Sequence, residues 1–488
     1  MCRPERILAY VAALAVSCAA VAEVCARDEW FTMSIDGIPC GWLHEQVAIV
    51  GSEIETTNEM RLMVGRAGAK ASVAVKWQFK EGPQGTPLSC TVEQSSGSES
   101  SHATYRFKPD QIHVDEAAAG RSATRTIPVP ARAWLTPGQV EEAVAVGRAT
   151  GSDRIAYTTV DPAAGLALVD IVSTRTAKAG GATIHWTTHN SSVPVDTTEE
   201  VDGAGRVVRS STTLAIGALV ALRSTQREAL AAAGLSGPGI DLIGRSVVQL
   251  ASIQPALLGA RSARFEVKSR DSSPLTLPSC GAQRVDATHE GGGIVTVDVS
   301  RASAATPQEL ADPRYLASTL LIDGDDPAVR ALAGRALLAA GLTIDSPPRA
   351  RAEALRAFVV GFIIHKDLAT AFAGASAVAQ SRSGDCSEHA ILLAALLRAD
   401  SIPSRVASGL VYADEFAGKK GVFAWHMWTQ ALIDGAWLDL DPTLRGRVFH
   451  PGHLLIATSA QDDAQLDSDF AGLLATIGNI SIERVHVD

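Results

Sequence analysis

The amino-acid sequence predicts an α+β protein: a helix-bearing unit with an antiparallel sheet in its last third, and a large β-rich region before it. Three observations predict this. Through the first 300 residues or so, apolar and polar residues alternate in short runs separated by turn residues. From about Asp312, helix punctuation takes over, with acidic caps and Pro at the starts and Gly at the ends. Ser387 to Arg398 is then apolar nearly all round and leads directly into further strand-like runs, the order expected when helices pack against an antiparallel sheet.

At 488 residues the chain is too long for one ordinary core and suggests two or three folded units. Its 46% apolar and 20% charged residues are those of a globular protein. A net charge of -10, with no long run of Lys or Arg, argues against nucleic acid as a partner.

In chain order, residues 1–26 read as an export signal. Arg3 and Arg6 make a positive start, Ile7 to Ala22 is an uncharged and mostly apolar run, and Ala20-Val21-Ala22 or Val24-Cys25-Ala26 offers a cleavage site. The mature chain is expected to start near Arg27, in the periplasm or outside the cell. An uncleaved membrane anchor is the alternative, disfavoured because the run is short for a span of about 20 residues. Cleavage would leave Cys40, Cys90, Cys280 and Cys386. An oxidising compartment permits one bridge, with Cys40 and Cys90 the pair in one domain; the alternative is that these cysteines are small apolar fillers.

Residues 27–210 are expected to form a β-rich N-terminal domain, as one antiparallel sheet or two lobes. It opens on a hairpin at Asp36-Gly37 and continues through runs such as Gln46 to Val50, Ala71 to Phe79 and Leu166 to Ser173. Residues 211–311 are expected to be a β-rich middle region with a helix near Thr225 to Ala233. Residues 312–488 form the third unit, with helices at Asp325 to Gly341, Arg349 to His365 and Ser376 to Ser381, then Ser387 to Arg398. Strands follow at Arg405 to Tyr412, Val422 to Ile433 and Ala436 to Asp441.

Cys386 falls at the N-terminus of the apolar helix, where unpaired backbone N–H groups and the helix dipole favour the thiolate, the reactive form. Taken alone, that stretch is as consistent with a structural cysteine at a helix cap. The downstream hairpin changes the balance. Asp434-Gly435 is a favoured two-residue turn, and it sets Ile433 against Ala436, Leu432 against Trp437 and Gln430 against Asp439. His426 and Asp441 then share a face as diagonal neighbours, within reach of each other. An imidazole oriented by a carboxylate is what a cysteine nucleophile needs as its base.

Gly384-Asp385-Cys386, Glu388-His389-Ala390, Ile402-Pro403-Ser404-Arg405-Val406, His426-Met427-Trp428 and Trp437 to Thr443 together resemble the core of transglutaminase-like proteins, whose catalytic unit is papain-like. The resemblance covers roughly Ser376 to Thr443. It implies the nucleophile at Cys386, the general base at His426 and the orienting carboxylate at Asp441. It also implies an exported bacterial relative, and places Gln380 six residues before Cys386, where papain-like proteases carry a glutamine that donates to the oxyanion. Two positions depart from the usual pattern, Met427 and Ser401, and neither touches the chemistry.

Rival residues have plainer readings. His389 lies one helical turn from Cys386 with no orienting acid in view, and Asp439 shares the face of Asp441. Asp414 to Gly421 reads as a surface loop or a lip over the site. No zinc-type Cys/His pair, phosphate loop or dinucleotide fingerprint is present, so neither a metal nor a nucleotide or other cofactor is expected. The expected partner is a protein or peptide substrate, with an envelope partner conceivable for the β-rich region. The expected function is cysteine-dependent acyl transfer on peptide or carboxamide substrates in the cell envelope, by hydrolysis or transamidation. The alternative is an inactive envelope binding or assembly module that keeps the fold.

Overall fold

The structure is a computed structural model describing residues 23–66, 69–97, 99–118, 120–176, 184–214, 217–233, 240–241, 247–270, 275–289, 291–365, 373–445, 449–461 and 479–488. Most of the expected export signal, residues 1–22, lies outside them. No helix among the described residues is long and apolar enough to cross a membrane.

The N-terminal part is one continuous antiparallel meander. Strands β1 (Glu23–Ile35), β2 (Ile38–Val50), β3 (Glu53–Arg66), β4 (Ala69–Glu81), β5 (Pro87–Ser96), β6 (Glu99–Phe107), β7 (Gln111–Ala118) and β8 (Arg121–Pro128) make one wing. Helix α1 (Pro137–Ala149) interrupts it, and β9 (Arg154–Asp161), β10 (Ala167–Thr176), β11 (Ile184–Asn190), β12 (Val193–Val201), β13 (Val207–Leu214) and β14 (Gly217–Ser224) make the other. The two wings meet where β1 pairs with β14. The Asp36-Gly37 turn joins β1 to β2 with both residues at positive φ, 49° and 77°, the conformation a tight hairpin demands. β1 begins at Glu23, so Glu23 to Cys25 pair with β2 although cleavage near Arg27 would remove them.

The sheet curls on itself, because Val160 of β9 and Leu168 of β10 pack against Phe79, Cys90, Tyr105, Ile112 and Val114 of the other wing. Cys90 belongs to that cluster and Cys40 to another, with Phe31 and Met33; both are free thiols. The bridge weighed from sequence does not form.

The segment expected as a separate middle region divides between its neighbours. β13 and β14 carry the N-terminal sheet to Ser224, and helix α2 (Gln226–Ala233) packs on β1 and β2. β15 (Ile240–Asp241) pairs with β3. Beyond it, β16 (Val248–Gln249) is followed by β17 (Ser262–Ser269), β18 (Gln283–His289), β19 (Gly292–Asp298) and β20 (Ser303–Ala304). These later strands all join the C-terminal unit. They are few and short, and a small sheet with one apolar face must bury it on a neighbour.

In the C-terminal unit, α3 (Pro307–Ala311), α4 (Pro327–Ala339), α5 (Pro348–Phe362), α6 (Ala375–Ser381) and α7 (Cys386–Ala399) precede β21 (Ser404–Phe416), β22 (Lys419–Ile433), β23 (Ala436–Leu440) and β24 (His453–Ser459). The main sheet runs β20-β23-β22-β21-β24, with β16 on β22. A smaller sheet, β18-β19-β17-β25, is closed by β25 (Ile480–Val487). Asp414 to Gly421 is no lip: β21 and β22 stay paired to Phe416 and Lys419, turning on Ala417 and Gly418.

Helix α7 explains the arrangement. Residues Ala390 to Leu397 are fully buried, packed on α4, α5 and α6 on one side and on β21 and β22 on the other. Its C-terminal end is pinned by buried Arg398, which donates to the carbonyls of Ala317 (2.6 Å), Ser404 (3.0 Å) and Ala460 (2.7 Å). A helix held on every side presents its first residue at a fixed place.

Candidate active site

That first residue is Cys386. Asp385 caps the helix: its carboxylate accepts from the Ser387 N–H at 2.8 Å, while the Glu388 carboxyl accepts from the Asp385 N–H at 2.8 Å. The preceding turn is tied to the end of α5, where His365 O accepts from Gly384 N at 3.0 Å and Arg382 O from Ile364 N at 3.0 Å. Only glycine fits at 384, since φ is 150° and a Cβ there would lie 2.3 Å from that of Glu388. Glu388 is fully buried; burial, with the charge of Asp385 beside it, pushes its carboxyl up to about 8, so it is protonated at neutral pH.

His426 arrives on β22. The hairpin turns on Asp434 and Gly435, both at positive φ, and the ladder pairs Ile433 with Ala436, Leu432 with Trp437 and Gln430 with Asp439. That is the register read from the turn residues. Just past β23, the Asp441 carboxylate lies 2.8 Å from His426 Nε2. Cys386 is close enough to act on the His426 ring and raises its basicity further. With Nε2 committed to Asp441, Nδ1 is the nitrogen left to face it. Burial alone would lower the basicity of His426, but the Asp441 carboxylate and its hydrogen bond outweigh burial and raise the imidazole to about 10.

Asp441 is fully buried and fully engaged. Oδ2 faces His426 and, at 2.9 Å, Nε2 of His453; Oδ1 accepts from the Thr443 N–H at 2.8 Å and its hydroxyl at 2.7 Å. Burial opposes the charge, yet the two imidazoles hold this carboxyl well below the usual range. Arg356 of α5 donates to the Asp441 carbonyl at 3.4 Å. The ligand-type atoms of His426, Asp441 and His453 lie within 4.8 Å of one another. Their polar contacts are those of imidazole N–H groups on one carboxylate, which satisfies all three without an ion.

The other expected residues fall elsewhere. Asp439 accepts from Trp428 Nε1, Gln430 Nε2 and the Ala282 N–H, each at 2.8 Å, and so braces the hairpin against the segment before β18. His389 is buried against the Asp385 carbonyl, 2.5 Å from its Nδ1. Gln380 is exposed on α6, with no hydrogen bond to Cys386, His426 or Asp441 among the described residues. Cys280 receives a hydrogen bond from Arg405 at 2.6 Å.

Residues 338–442 match the Transglutaminase-like superfamily. This segment is a transglutaminase-like core. It contains Cys386, His426 and Asp441, and the large β-rich region lies before it. In broad outline it is the core of a cysteine-dependent enzyme. No curated protein matches the chain. Among solved structures, the "Putative Cysteine Protease from Cytophaga hutchinsonii" is similar at 18% identity and a TM-score of 0.28, over 46% of this chain and 88% of that one. A "Beta-barrel-like Protein of Domain of Unknown Function" from Brucella abortus is similar at 8% identity and 0.31, over 42% and 98%. A "Putative Protease from Parabacteroides distasonis" gives 13% and 0.19, over 88% and 72%.

Around the transglutaminase-like core the structure adds residues that the sequence does not single out. Thr443 follows Asp441 in the motif, and its distance of two residues is the signal that could have found it. Arg356 and His453 carry none, because each reaches Asp441 from an element distant in sequence.

Proposed function

We propose that the protein is a thiol acyl-transfer enzyme of the cell envelope, acting on peptide or carboxamide substrates. The observation that carries this is His426, held by Asp441 on one nitrogen and electrostatically coupled to Cys386 at the tip of a buried helix. The thiolate of Cys386 adds to the substrate carbonyl carbon, and the oxyanion faces the Cys386 N–H, one of the helix-terminal donors that lack an intrahelical partner. His426 passes its proton to the leaving nitrogen as the C–N bond breaks, leaving a thioester. Water or an amine then takes the acyl group, with His426 accepting that nucleophile's proton. Hydrolysis is the simpler outcome, since transamidation requires that water be excluded. Gln380 is kept as a second candidate donor to the oxyanion on its six-residue offset from Cys386 alone. The reading of residues 1–26 as an export signal supports a reaction outside the cytoplasm, and the N-terminal sheet is assigned to selecting the substrate or an envelope partner.

The test is alkylation of the full chain by iodoacetamide near pH 6. Cys40 and Cys90 are buried, so half-buried Cys280 is the fair internal control. Cys386 should label far faster than Cys280, and the advantage should vanish in His426→Ala. Equal labelling of the two would remove the enzyme reading and leave a binding module. Ammonia release from a glutaminyl peptide, with and without an added amine, then separates hydrolysis and transamidation from peptide cleavage, which releases none.

A further inference from the structure

We propose that His453 is a positioning residue of the same site, a second imidazole that carries a proton on both ring nitrogens and holds Asp441 ionised against His426. Its effect on the reaction rests on the reading of Cys386, His426 and Asp441 given above; its protonation state does not.

His453 opens β24 and is 1% exposed. Its Nε2 lies 2.9 Å from Asp441 Oδ2, and its Nδ1 lies 2.8 Å from the carbonyl oxygen of His450. A carbonyl oxygen only accepts hydrogen bonds, and so does an ionised carboxylate. A neutral imidazole has one N–H, and at this buried site would turn a lone pair toward the lone pairs of one of these oxygens, leaving that contact without a proton. The imidazolium satisfies both.

The surroundings agree with a held cation. Phe449 and Trp428 flank the ring at centroid distances of 4.3 and 5.4 Å. The titratable or charged groups facing it are few. Asp441 is in direct contact; His426 lies beyond it at 5.9 Å between rings, with Cys386 on the far side. The buried carboxyl of Asp439 also senses His453, while satisfied by Trp428, Gln430 and Ala282. The His450 ring, 4.4 Å away, accepts from the Gly452 N–H through its own Nδ1. Arg356 meets only the Asp441 carbonyl.

The consequence falls on the base. Both imidazoles point at one carboxylate oxygen, so the positive charge of His453 offsets part of the field that Asp441 exerts on His426. His426 therefore gives up its proton more readily than it would beside an unshared carboxylate, which the transfer to a leaving nitrogen requires.

The direct experiment is nitrogen-15 NMR of the histidine rings in the full chain at pH 7. The His453 signals are identified by their absence from His453→Gln or, where that variant does not fold, from His453→Asn. Two N–H-bearing nitrogens are expected. One N–H and one bare nitrogen would overturn the proposal, whether or not Cys386 proves reactive. The kinetic arm uses His453→Gln, which keeps a donor to Asp441 and loses the charge: kcat should fall about tenfold to a hundredfold with KM unchanged, as for other residues that orient a reactive group through a neighbour. The alkaline limb of Cys386 alkylation should also move to higher pH. An unmoved limb with wild-type kcat would reduce His453 to packing. Loss of Cys386 reactivity in the wild-type protein itself would instead sink the proposed function.

Discussion

Buried charge is handled differently at the two ends of the chain. In the N-terminal sheet, Arg27 of β1 is ringed by Glu29, Glu45 and Glu141, Arg223 reaches Glu29 and Asp202, and Arg148 of α1 pairs with Glu199. Guanidinium faces carboxylate throughout; the guanidinium keeps its charge, and although burial pushes Glu45 up to about 7, its partner Arg27 has no proton to exchange near neutral pH, so these clusters only hold the wings together. In the C-terminal unit the central carboxylate, Asp441, faces two imidazoles, groups whose protons can move, and one of them senses the sulfur of Cys386 at a helix tip. What makes a buried ion pair chemical rather than structural is thus the partner's readiness to exchange a proton and an opening toward a nucleophile.

The comparison breaks most easily at its largest effect. Asp441→Asn should lower turnover on the order of 10³- to 10⁴-fold by leaving His426 misoriented, and Cys386→Ala at least as much. Arg27→Met should cost stability and leave the rate of Cys386 alkylation unchanged; an equal loss of reactivity would show that the two clusters are not separable. Next comes packing. Leu393→Ala, inside fully buried α7, should cost about 2–5 kcal/mol by urea denaturation. Leu222→Ala, on the exposed face of β14 at 51% exposure, should stay within about 0.5 kcal/mol.

pH sharpens the contrast further. The folded protein keeps Glu388 protonated up to about 8, whereas the unfolded chain releases that proton near 4.5, so stability falls as pH rises between these values. Glu388→Gln should flatten that slope in melting curves. His426 acts in the opposite range: its contribution is complete below about 6.5 and is lost as pH rises through about 10. The contribution of Asp441 is present above 3.8 and is lost as pH falls through its depressed folded value. Smallest is Arg121→Ala at the tie between β8 and the loop before α4, where Arg121 meets Asp323 at 3.4 Å and Asp325 at 3.1 Å. The pairing with exposed Asp325 is worth about 0–1 kcal/mol, the loss of a partner for fully buried Asp323 adds to that cost, and Cys386 should not feel either.

How much of this was legible depends on how local each signal is. The Asp36-Gly37 and Asp434-Gly435 turns and the apolar stretch of α7 are encoded within a few residues, and each appears where the sequence places it; the Asp385–Glu388 capping box is equally local and is added by the structure. The middle region misled because β16, β17 and β20 look like strands of a unit of their own, while their partners lie far along the chain. Gln380 was placed by its offset from Cys386 alone, and an offset does not say which way an exposed side chain on a short helix turns.

From sequence alone came the nucleophile's helix, the hairpin register and the shared face of His426 and Asp441, because turn chemistry and the two-residue period of a strand dictate them without reference to the rest of the molecule. Only the tertiary structure decided that the histidine meets the cysteine, that His453 closes on the same carboxylate, and that the middle strands complete the C-terminal sheets. These contacts join elements whose separation along the chain has no period, so they exist only once the core around α7 has brought the pieces together.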